Sequence, residues 1–584
     1  MTAPNIILAT LNARYIHASL GLRCLLANLD KHGGAGLRAQ AVLREYTIHR
    51  APAEVVADLL ATLSATPAPG QPSAPVPQAA RCQVVGLGVY IWNVSQTLQV
   101  IRLLKAARPA VKVVLGGPEV SHELDQQAIC QLADFVITGW GDVSFAKLCR
   151  ALLDGPPPLM KIIPGEQPAL TQLALPYDEY SDPDLAHRLL YVEASRGCPF
   201  KCEFCLSALD KTAWGFELDR VLAALEGLYQ RGARSFKFVD RTFNLKIEHS
   251  VRILQFFLDK LPQPSHPSHR PEQADTVGAA CQASPAAAPK TDLFLHFEVI
   301  PDHLPDRLKA QLALFPPGVL QLEVGVQTFN VAVQHTVSRR QDNAATEANL
   351  RWLLAHTHAH LHVDLIFGLP GETLHSFADG FDRLLAMAPH EIQLGILKRL
   401  RGSPITRHTA PHGMVYDAQP PYSVQQTGVL DAATVTRFAR FARYWDLLAN
   451  SGRFPQTLAL WLGHAPATEL GQTPPGIDPC TTVQPSPFWR FWAFSDWLWQ
   501  HLGATHKLTP EVLVDALFDY LSQPSQQPFT LSAHAVRQAL LADYTASGAR
   551  ASPKALQGAL PRPAPPEAKA AHTLATRQAR HLSG

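Results

Sequence analysis

The sequence predicts an α/β protein in three parts: an amino-terminal Rossmann-like open sheet, a central partial (β/α)6 barrel and a mainly helical carboxyl-terminal region. Short apolar runs alternate with helical stretches over residues 1–155, which is typical of an open parallel sheet. Strand and helix patterns then repeat about every 30 to 40 residues over residues 185–405, and aromatic-rich helical stretches occupy residues 410–545. A chain of 584 residues is too long for one hydrophobic core, so several domains are expected.

The composition is that of a globular enzyme. Hydrophobic residues make up 47% and charged residues 17% of the chain, and the net charge of +2 gives no strong attraction to nucleic acids or membrane surfaces. No apolar run approaches the roughly 20 residues of a membrane-spanning helix, and the first residues predict a strand rather than a signal peptide. Nine cysteines, three of them clustered, favour a reducing compartment over a disulfide framework. We therefore expect a cytoplasmic protein that binds neither membranes nor nucleic acids.

The amino-terminal sheet is predicted from four apolar runs, which are Asn5–Leu11, Val84–Tyr90, Val111–Leu115 and Phe135–Thr138. Polar or glycine-rich residues follow each run. They include Asn12, His17, Tyr90, Gly116, Gly117, Pro118 and Gly139. Because parallel strands place their carboxyl ends at one edge of a sheet, these residues are expected to form a ligand site there. The glycine pairs alone would equally suit tight strand-to-helix turns.

The segment Ser195–Cys205, SRGCPFKCEFC, carries the strongest chemical signal. Its cysteines, Cys198, Cys202 and Cys205, are separated by three and then two residues, which suits three ligands of a four-iron cluster with one iron left open. A structural zinc site would require a fourth Cys or His at short spacing. The next cysteine, Cys281, lies far away in a low-complexity segment, so zinc is the weaker alternative.

Six strands are predicted in the barrel: Tyr191–Ala194, Ser235–Asp240, Phe294–Val299, Leu320–Val326, His362–Gly368 and Glu391–Leu397. Catalytic groups in such barrels come from the carboxyl ends of the strands. Glu323 could be one of these catalytic groups, or it could form a structural ion pair inside the barrel. Arg339 and its neighbour Arg340 are also candidates, and either could take the role of the other.

Three low-complexity segments are predicted to be disordered: residues 66–78, 262–290 and 546–584. The aromatic residues of Val435–Leu448 and Phe488–Leu502 recur at helical spacing, which favours core packing. A wall over a cofactor is the alternative.

The cysteine spacing, with Phe204 before the last cysteine, resembles the radical S-adenosylmethionine (SAM) superfamily. Glu298 and Pro301 in FEVIP, Gly325–Phe329 with Arg339, and Asp364 in DLIFGLPGET resemble its coproporphyrinogen-oxidase-like branch. This resemblance implies a 4Fe-4S cluster and a SAM site in a partial TIM-type barrel. It assigns Gln327 and Asp364 to the SAM ribose, Arg339 to the methionyl carboxylate, and Asp240 to the position that normally holds the amine. Phe204 and Glu298 complete the implied SAM site.

The amino-terminal part resembles the cobalamin-binding domain that is fused to the front of many radical SAM enzymes. There a Gly-Gly-Pro turn lies against the corrin, as Gly116, Gly117 and Pro118 would here. The best-known cobalamin motif has Asp-x-His-x-x-Gly after the first strand. This chain has no such Asp, and three residues separate His17 from Gly21, so the resemblance does not carry over the histidine ligand of cobalt.

These resemblances imply an enzyme that cleaves SAM to a 5′-deoxyadenosyl radical, with cobalamin-dependent methyl transfer or related radical chemistry on an unknown substrate. A reducing protein such as flavodoxin or ferredoxin is the implied partner. Two alternatives remain open: a radical SAM enzyme that has lost cobalamin, and a non-catalytic iron-sulfur redox or sensor protein.

Overall fold

The structure is a computed structural model that describes residues 4–64, 82–210, 212–262, 292–463, 486–523, 531–549 and 551–560. The predicted disordered segments 66–78 and 263–290, and the tail beyond 560, lie outside the described residues.

The first sheet is parallel throughout, with the strand order β2-β1-β3-β4-β5-β6. Its strands are β1 (Ile6–Asn12), β2 (Ala41–Thr47), β3 (Val84–Gly88), β4 (Lys112–Gly116), β5 (Phe135–Thr138) and β6 (Ile162–Pro164). Its helices are α1 (Leu20–Gly33), α2 (Pro52–Ser64), α3 (Val94–Ala107), α4 (Ala128–Leu132) and α5 (Asp142–Asp154). All residues of β1 are buried because helices cover both faces of the sheet. The chain reverses its winding between β1 and β3, which is where open α/β sheets bind ligands.

Two strands of this sheet, β2 and β6, were not predicted from the sequence. Strand β2 contains Arg44 and Glu45, and its apolar residues do not form a continuous run. Glu45 is buried because it accepts hydrogen bonds from Arg23 and Arg188 at 2.8 and 2.6 Å. Strand β6 extends the sheet beyond the predicted boundary at residue 155.

The barrel contains all six predicted strands, in the parallel order β14-β13-β12-β11-β10-β7. After helix α6 (Asp182–His187), its strands are β7 (Leu190–Val192), β10 (Ser235–Phe238), β11 (Phe294–Val299), β12 (Leu320–Gln327), β13 (His360–Phe367) and β14 (Glu391–Ile396). The two-residue strands β8 (Ser195–Arg196) and β9 (Trp214–Gly215) pair on either side of the cysteine loop. The helices are α7 (Leu218–Gln230), α8 (Ile247–Leu258), α9 (Asp306–Leu312), α10 (Val331–Thr336), α11 (Asn343–His356) and α12 (Leu374–Leu385).

The carboxyl-terminal region is mainly helical. After the hairpin β15 (Val415–Tyr416) and β16 (Val424–Gln426) come α13 (Ala432–Leu448), α14 (Pro455–Leu462), α15 (Pro487–Leu502), α16 (Pro510–Leu521) and α17 (Ala533–Ala546). Phe438 stacks on Phe367 of β13 at 3.8 Å between ring centroids, and most aromatic residues of α13 and α15 join the barrel core. The prediction that these aromatic residues pack in the core is therefore confirmed, and the alternative that they form a wall over a cofactor is wrong. Leu556 is also buried, so the chain stays packed beyond the predicted start of the tail at residue 546.

No helix among the described residues is long and apolar enough to cross a membrane.

Candidate cofactor-binding site

A cavity of about 660 Å³ lies at the carboxyl ends of the barrel strands, and all three clustered cysteines line it. Backbone hydrogen bonds hold the cysteine loop, from Cys198 N to Asp210 O at 3.2 Å and from Cys205 N to Cys202 O at 3.1 Å. Gly197 precedes the first cysteine with φ at +88°, and a Cβ there would lie 1.9 Å from Thr212 O. Only glycine fits this turn, so the local sequence sets the direction of the loop.

The thiols lie in a partly buried environment. Burial raises the pKa of Cys198 and of Cys202, and the Arg339 guanidinium opposes this rise at Cys202. Arg339 Nη1 lies 3.7 Å from Cys202 Sγ. Three thiols on one cavity wall, with open space in front of them, fit a cluster that has one free iron.

Glu203, between two of the cysteines, is a structural residue that the sequence analysis did not single out. Its side chain is buried and accepts hydrogen bonds from Ser338, Arg407 and His408, the last at 2.7 Å from Nε2. The carboxylate thus ties the cysteine loop to the segment after the barrel. The sequence signal that could have identified Glu203 was the presence of a charged residue inside the cysteine motif.

Five of the predicted SAM residues line this cavity, and they are Phe204, Glu298, Gln327, Arg339 and Asp364. The backbone of Gln327 has φ at +70° at a bulge in β12. Its side chain folds back over Gly325, where a Cβ would lie 2.5 Å from Gln327 Nε2. Arg339 donates to Gln341 Oε1 at 2.7 Å and to the Gly325 carbonyl, so both side chains are held at the cavity wall.

Asp364 provides an oxygen that fits a hydroxyl donor. Its Oδ1 accepts no hydrogen bond from the described residues, and His362 Nε2 lies 3.8 Å away. Burial, with Glu323 and Glu298 nearby, raises the pKa of Asp364 well above its usual range. A buried oxygen that needs a donor and faces a cavity is suited to a ribose hydroxyl.

Glu323 also lines the cavity but forms the structural ion pair that was one of its two predicted roles. It accepts from Lys237 Nζ at 3.2 Å and contacts His296 Nε2 at 2.9 Å. Despite its burial, these two partners lower the pKa of Glu323.

Asp240 does not line the cavity, which differs from its predicted contact with SAM. Its buried carboxylate accepts hydrogen bonds from Ala194 N at 3.0 Å and Ser195 Oγ at 2.5 Å. Burial raises its pKa to about 7. Asp240 therefore positions the end of β7, and its neighbour Arg241 reaches the cavity instead.

A second cavity, of about 480 Å³, lies at the carboxyl edge of the first sheet, where the strand order reverses. Five predicted cobalamin residues line it: Tyr90, Gly116, Gly117, Pro118 and Gly139. Gly117 has φ at +115°, and a Cβ there would lie 2.4 Å from Val89 O. This turn is therefore restricted to glycine, and the missing side chains leave room for a ligand at the sheet edge.

Asn12 and His17 do not line the second cavity, in contrast to their predicted role. Asn12 Nδ2 donates to His17 O at 2.8 Å and to Glu45 Oε1 at 2.9 Å. His17 Nδ1 lies 2.8 Å from Tyr191 Oη of the barrel. His17 therefore joins the sheet to the barrel, whereas Asn12 bonds within the first domain. No histidine is among the described residues that line this cavity.

The two cavities adjoin each other, because Arg241 lines both. Arg196 of the cysteine loop forms ion pairs with Asp142 of the first domain at 2.9 Å and with Glu193 at 2.7 Å. Its guanidinium also lies 5.0 Å from the centre of the Trp140 ring. The cysteine loop is thus attached directly to the domain that carries the second cavity.

A second set of contacts, which we call the Glu119–Arg401 clamp, joins the domains through Glu119, Glu123, Arg399, Arg401 and Tyr422. Arg401 donates to Glu119 Oε1 at 3.0 Å and to Glu123 Oε2 at 3.1 Å, and Tyr422 Oη donates to Glu119 Oε1 at 2.5 Å. Glu123 and Tyr422 have φ at +53° and +55°, which is costly for residues with side chains. The clamp therefore joins a strained residue five positions after the Gly116–Pro118 turn, Glu123, to a strained residue beyond the barrel, Tyr422.

Two family models match the chain in the regions of these cavities. Residues 7–149 match the B12 binding domain, and residues 192–384 match the Radical SAM superfamily. The second match covers all three cysteines and supports an iron-sulfur cluster over zinc.

Similar curated proteins include an uncharacterized methyltransferase of Pyrococcus horikoshii, which is 31% identical over 30% of this chain and 44% of its own length. The cobalamin-dependent radical SAM methyltransferase TokK of Streptomyces tokunonensis is 24% identical over 54% of this chain and 47% of its own length. A 2-(S-pantetheinyl)-carbapenam-3-carboxylate methyltransferase of Streptantibioticus cattleyicolor is 23% identical, over 53% of this chain and 45% of its own length. The chain thus spans about half the length of the curated relatives it matches.

Two solved structures have the same fold. The radical SAM methyltransferase TsrM from Kitasatospora setae has a TM-score of 0.50 at 16% identity, and covers 73% of this chain and 80% of its own. The cobalamin-dependent SAM radical enzyme OxsB has a TM-score of 0.52 at 11% identity, and covers 93% of this chain and 79% of its own.

Proposed function

The chain belongs to the radical SAM proteins that carry a B12-binding domain, and on that premise we propose that it is a cobalamin-dependent methyltransferase. The main observation in support of this proposal is that the two cavities adjoin at Arg241. One cavity offers three thiols and residues suited to SAM, and the other is a glycine-lined site at the switch point of a B12-type sheet. When bound, a 4Fe-4S cluster with SAM and cobalamin would supply radical generation and a transferable methyl group.

Each group of residues has a defined task under this proposal. Cys198, Cys202 and Cys205 hold the cluster through their thiolates. The planar guanidinium of Arg339 grips the methionyl carboxylate of SAM, and the side chains of Gln327 and Asp364 bind its ribose hydroxyls.

The position of the site also serves the chemistry. The reacting groups would meet at the barrel mouth, beneath the first domain, where the protein can exclude water from reactive species. Tyr90, Gly116–Pro118 and Gly139 would hold cobalamin at the sheet edge.

We further infer that the protein acts in a reducing compartment such as the cytoplasm and takes electrons from a flavodoxin or ferredoxin. The seven described cysteines are all free, which suits a reducing environment. A cluster that lies beside an open cavity can be reached by a small electron-transfer protein. The unknown substrate would enter the same region.

The test is anaerobic reconstitution with iron, sulfide and hydroxocobalamin, followed by desalting, reduction with dithionite and addition of SAM. We expect a retained corrin absorbance and release of 5′-deoxyadenosine, which Cys202→Ala should abolish. Deoxyadenosine without retained corrin would identify a radical SAM enzyme that has lost cobalamin. A full cluster that does not cleave SAM would identify a redox or sensor protein.

A further inference from the structure

Among the residues that the structure describes, Arg241 alone lines both cavities. Its side chain is 54% exposed because it projects into this open space. Neighbouring residues fix its backbone firmly. Asp240 accepts hydrogen bonds from Ala194 and Ser195, and Asn244 exchanges hydrogen bonds with both backbone groups of Ile300 at 2.9 and 3.0 Å. The guanidinium is therefore presented from a rigid segment between the first and third barrel strands.

Three other cations near this junction already have strong partners. Lys237 pairs with Glu323 at 3.2 Å, and Arg196 pairs with Asp142 and Glu193. Arg339 donates to Gln341 and the Gly325 carbonyl, and binds the SAM carboxylate in the proposed function. These three cations therefore leave no strong demand for a further anion. Lys201 and Arg340 line the first cavity but not the second, so they do not mark the junction.

Arg241 differs from these cations. Its one ion-pair partner among the described residues is Glu298, at the long distance of 3.5 Å. Glu298 also lines the first cavity and is one of the residues that the sequence resemblance assigns to the SAM site. A guanidinium offers five N–H donors in a planar fork that matches a carboxylate or phosphate. A single contact with Glu298 leaves most of these donors available to a ligand at the junction of the cavities.

We propose that Arg241 binds an oxyanion of the substrate, which makes the substrate a carboxylic acid or a phosphate ester. This inference rests on the proposed function, because it takes the junction to be the place where the substrate meets SAM and cobalamin. Cobalamin carries a phosphodiester in its nucleotide and is the other source of an oxyanion at this position.

The experiment measures the binding of radiolabelled sulfate and malonate by equilibrium dialysis. The protein is reconstituted with its cluster and hydroxocobalamin and saturated with S-adenosylhomocysteine, which occupies Arg339. We expect Arg241→Gln to weaken anion binding at least about tenfold, as loss of a charged hydrogen-bond donor does. Arg241→Lys, which keeps the charge, should retain part of the affinity. Arg252→Gln, on helix α8 outside both cavities, is the matched control.

Equal anion binding by wild type and Arg241→Gln would overturn the proposal. A loss of affinity for hydroxocobalamin but not for cobinamide, which lacks the nucleotide, would assign the oxyanion to the cofactor and also overturn it. A changed cluster reduction potential with unchanged anion binding would mean that Arg241 only balances the charge of the cluster. Failure of wild-type protein to bind S-adenosylhomocysteine would instead refute the proposed function itself.

Discussion

Replacing Arg401 by methionine should loosen the first domain where it meets the end of the barrel. The side chains of Arg401 and Glu119 are only 15% and 4% exposed. Removing one partner of a buried ion pair typically costs about 3 to 5 kcal/mol, because the other charge stays buried. Tyr422 still donates to Glu119, so we take the lower end, about 3 kcal/mol. At roughly 1.4 kcal/mol per factor of ten, this cost corresponds to about a 100-fold rise in local opening.

Hydrogen-deuterium exchange measures this opening directly. Amides of residues 116–123 should exchange up to about 100-fold faster in Arg401→Met, since this segment opens when the Glu119–Arg401 clamp is lost. Lys147→Met is the matched control, because Lys147 and Glu166 form an exposed ion pair that should contribute less than about 1 kcal/mol. Unchanged exchange at 116–123 in Arg401→Met would refute the view that the clamp holds the two domains together.

Three further predictions concern single side chains. Gly117→Ala should abolish corrin retention after desalting, since its Cβ would lie 2.4 Å from Val89 O, whereas Gly227→Ala, on helix α7 with open space around its Cβ and outside both cavities, should keep it. Asp364→Asn should weaken S-adenosylhomocysteine binding about tenfold in equilibrium dialysis, because an amide nitrogen, which cannot accept from a ribose hydroxyl, replaces one carboxyl oxygen. Burial raises the pKa of Glu372 to about 8, so the folded state favours the protonated carboxyl. The stability that this group contributes should therefore be lost as pH rises from about 4.5 to 8. The free energy of unfolding, measured with denaturant, should fall less steeply over this pH range in Glu372→Gln than in wild type.

Each of these predictions can fail clearly. Equal loss of corrin in both glycine variants would mean that the close contact at Val89 is not what matters. Unchanged ligand affinity in Asp364→Asn would remove that residue from the SAM site. Identical pH profiles for wild type and Glu372→Gln would show that this carboxyl does not titrate between the folded and unfolded states.

The sequence predicts features that depend on short stretches of chain. The cysteine loop could be predicted because its spacing is local, and the buried strands because continuous apolar runs mark them. Strand β2 was not predicted because Glu45 is buried by its ion pair with Arg23, and the pattern of apolar residues cannot reveal such a contact. The Glu119–Arg401 clamp could not be predicted because Glu119 and Arg401 are 282 residues apart in the chain.

Polar residues in and beside strands show where prediction from sequence stops. Asp240 lies just after strand β10 and Asp364 lies within strand β13, and both are polar residues in an apolar context. Only the fold reveals that Asp240 turns to the backbone of β7 while Asp364 faces the cavity. Asn12 and His17 illustrate the same difficulty in the first sheet, because the Asn12 side chain bonds to Glu45 of the neighbouring strand and the His17 side chain contacts Tyr191 of the barrel.

The most direct test of the central proposal is whether S-adenosylhomocysteine formation depends on cobalamin. Cluster-reconstituted protein would be reduced and supplied with SAM, with and without hydroxocobalamin, and the product quantified by mass spectrometry. If the adjoining cavities hold SAM and cobalamin together, S-adenosylhomocysteine should form only when cobalamin is present. Equal amounts with and without cobalamin, or none in a preparation that cleaves SAM to 5′-deoxyadenosine, would contradict the proposal.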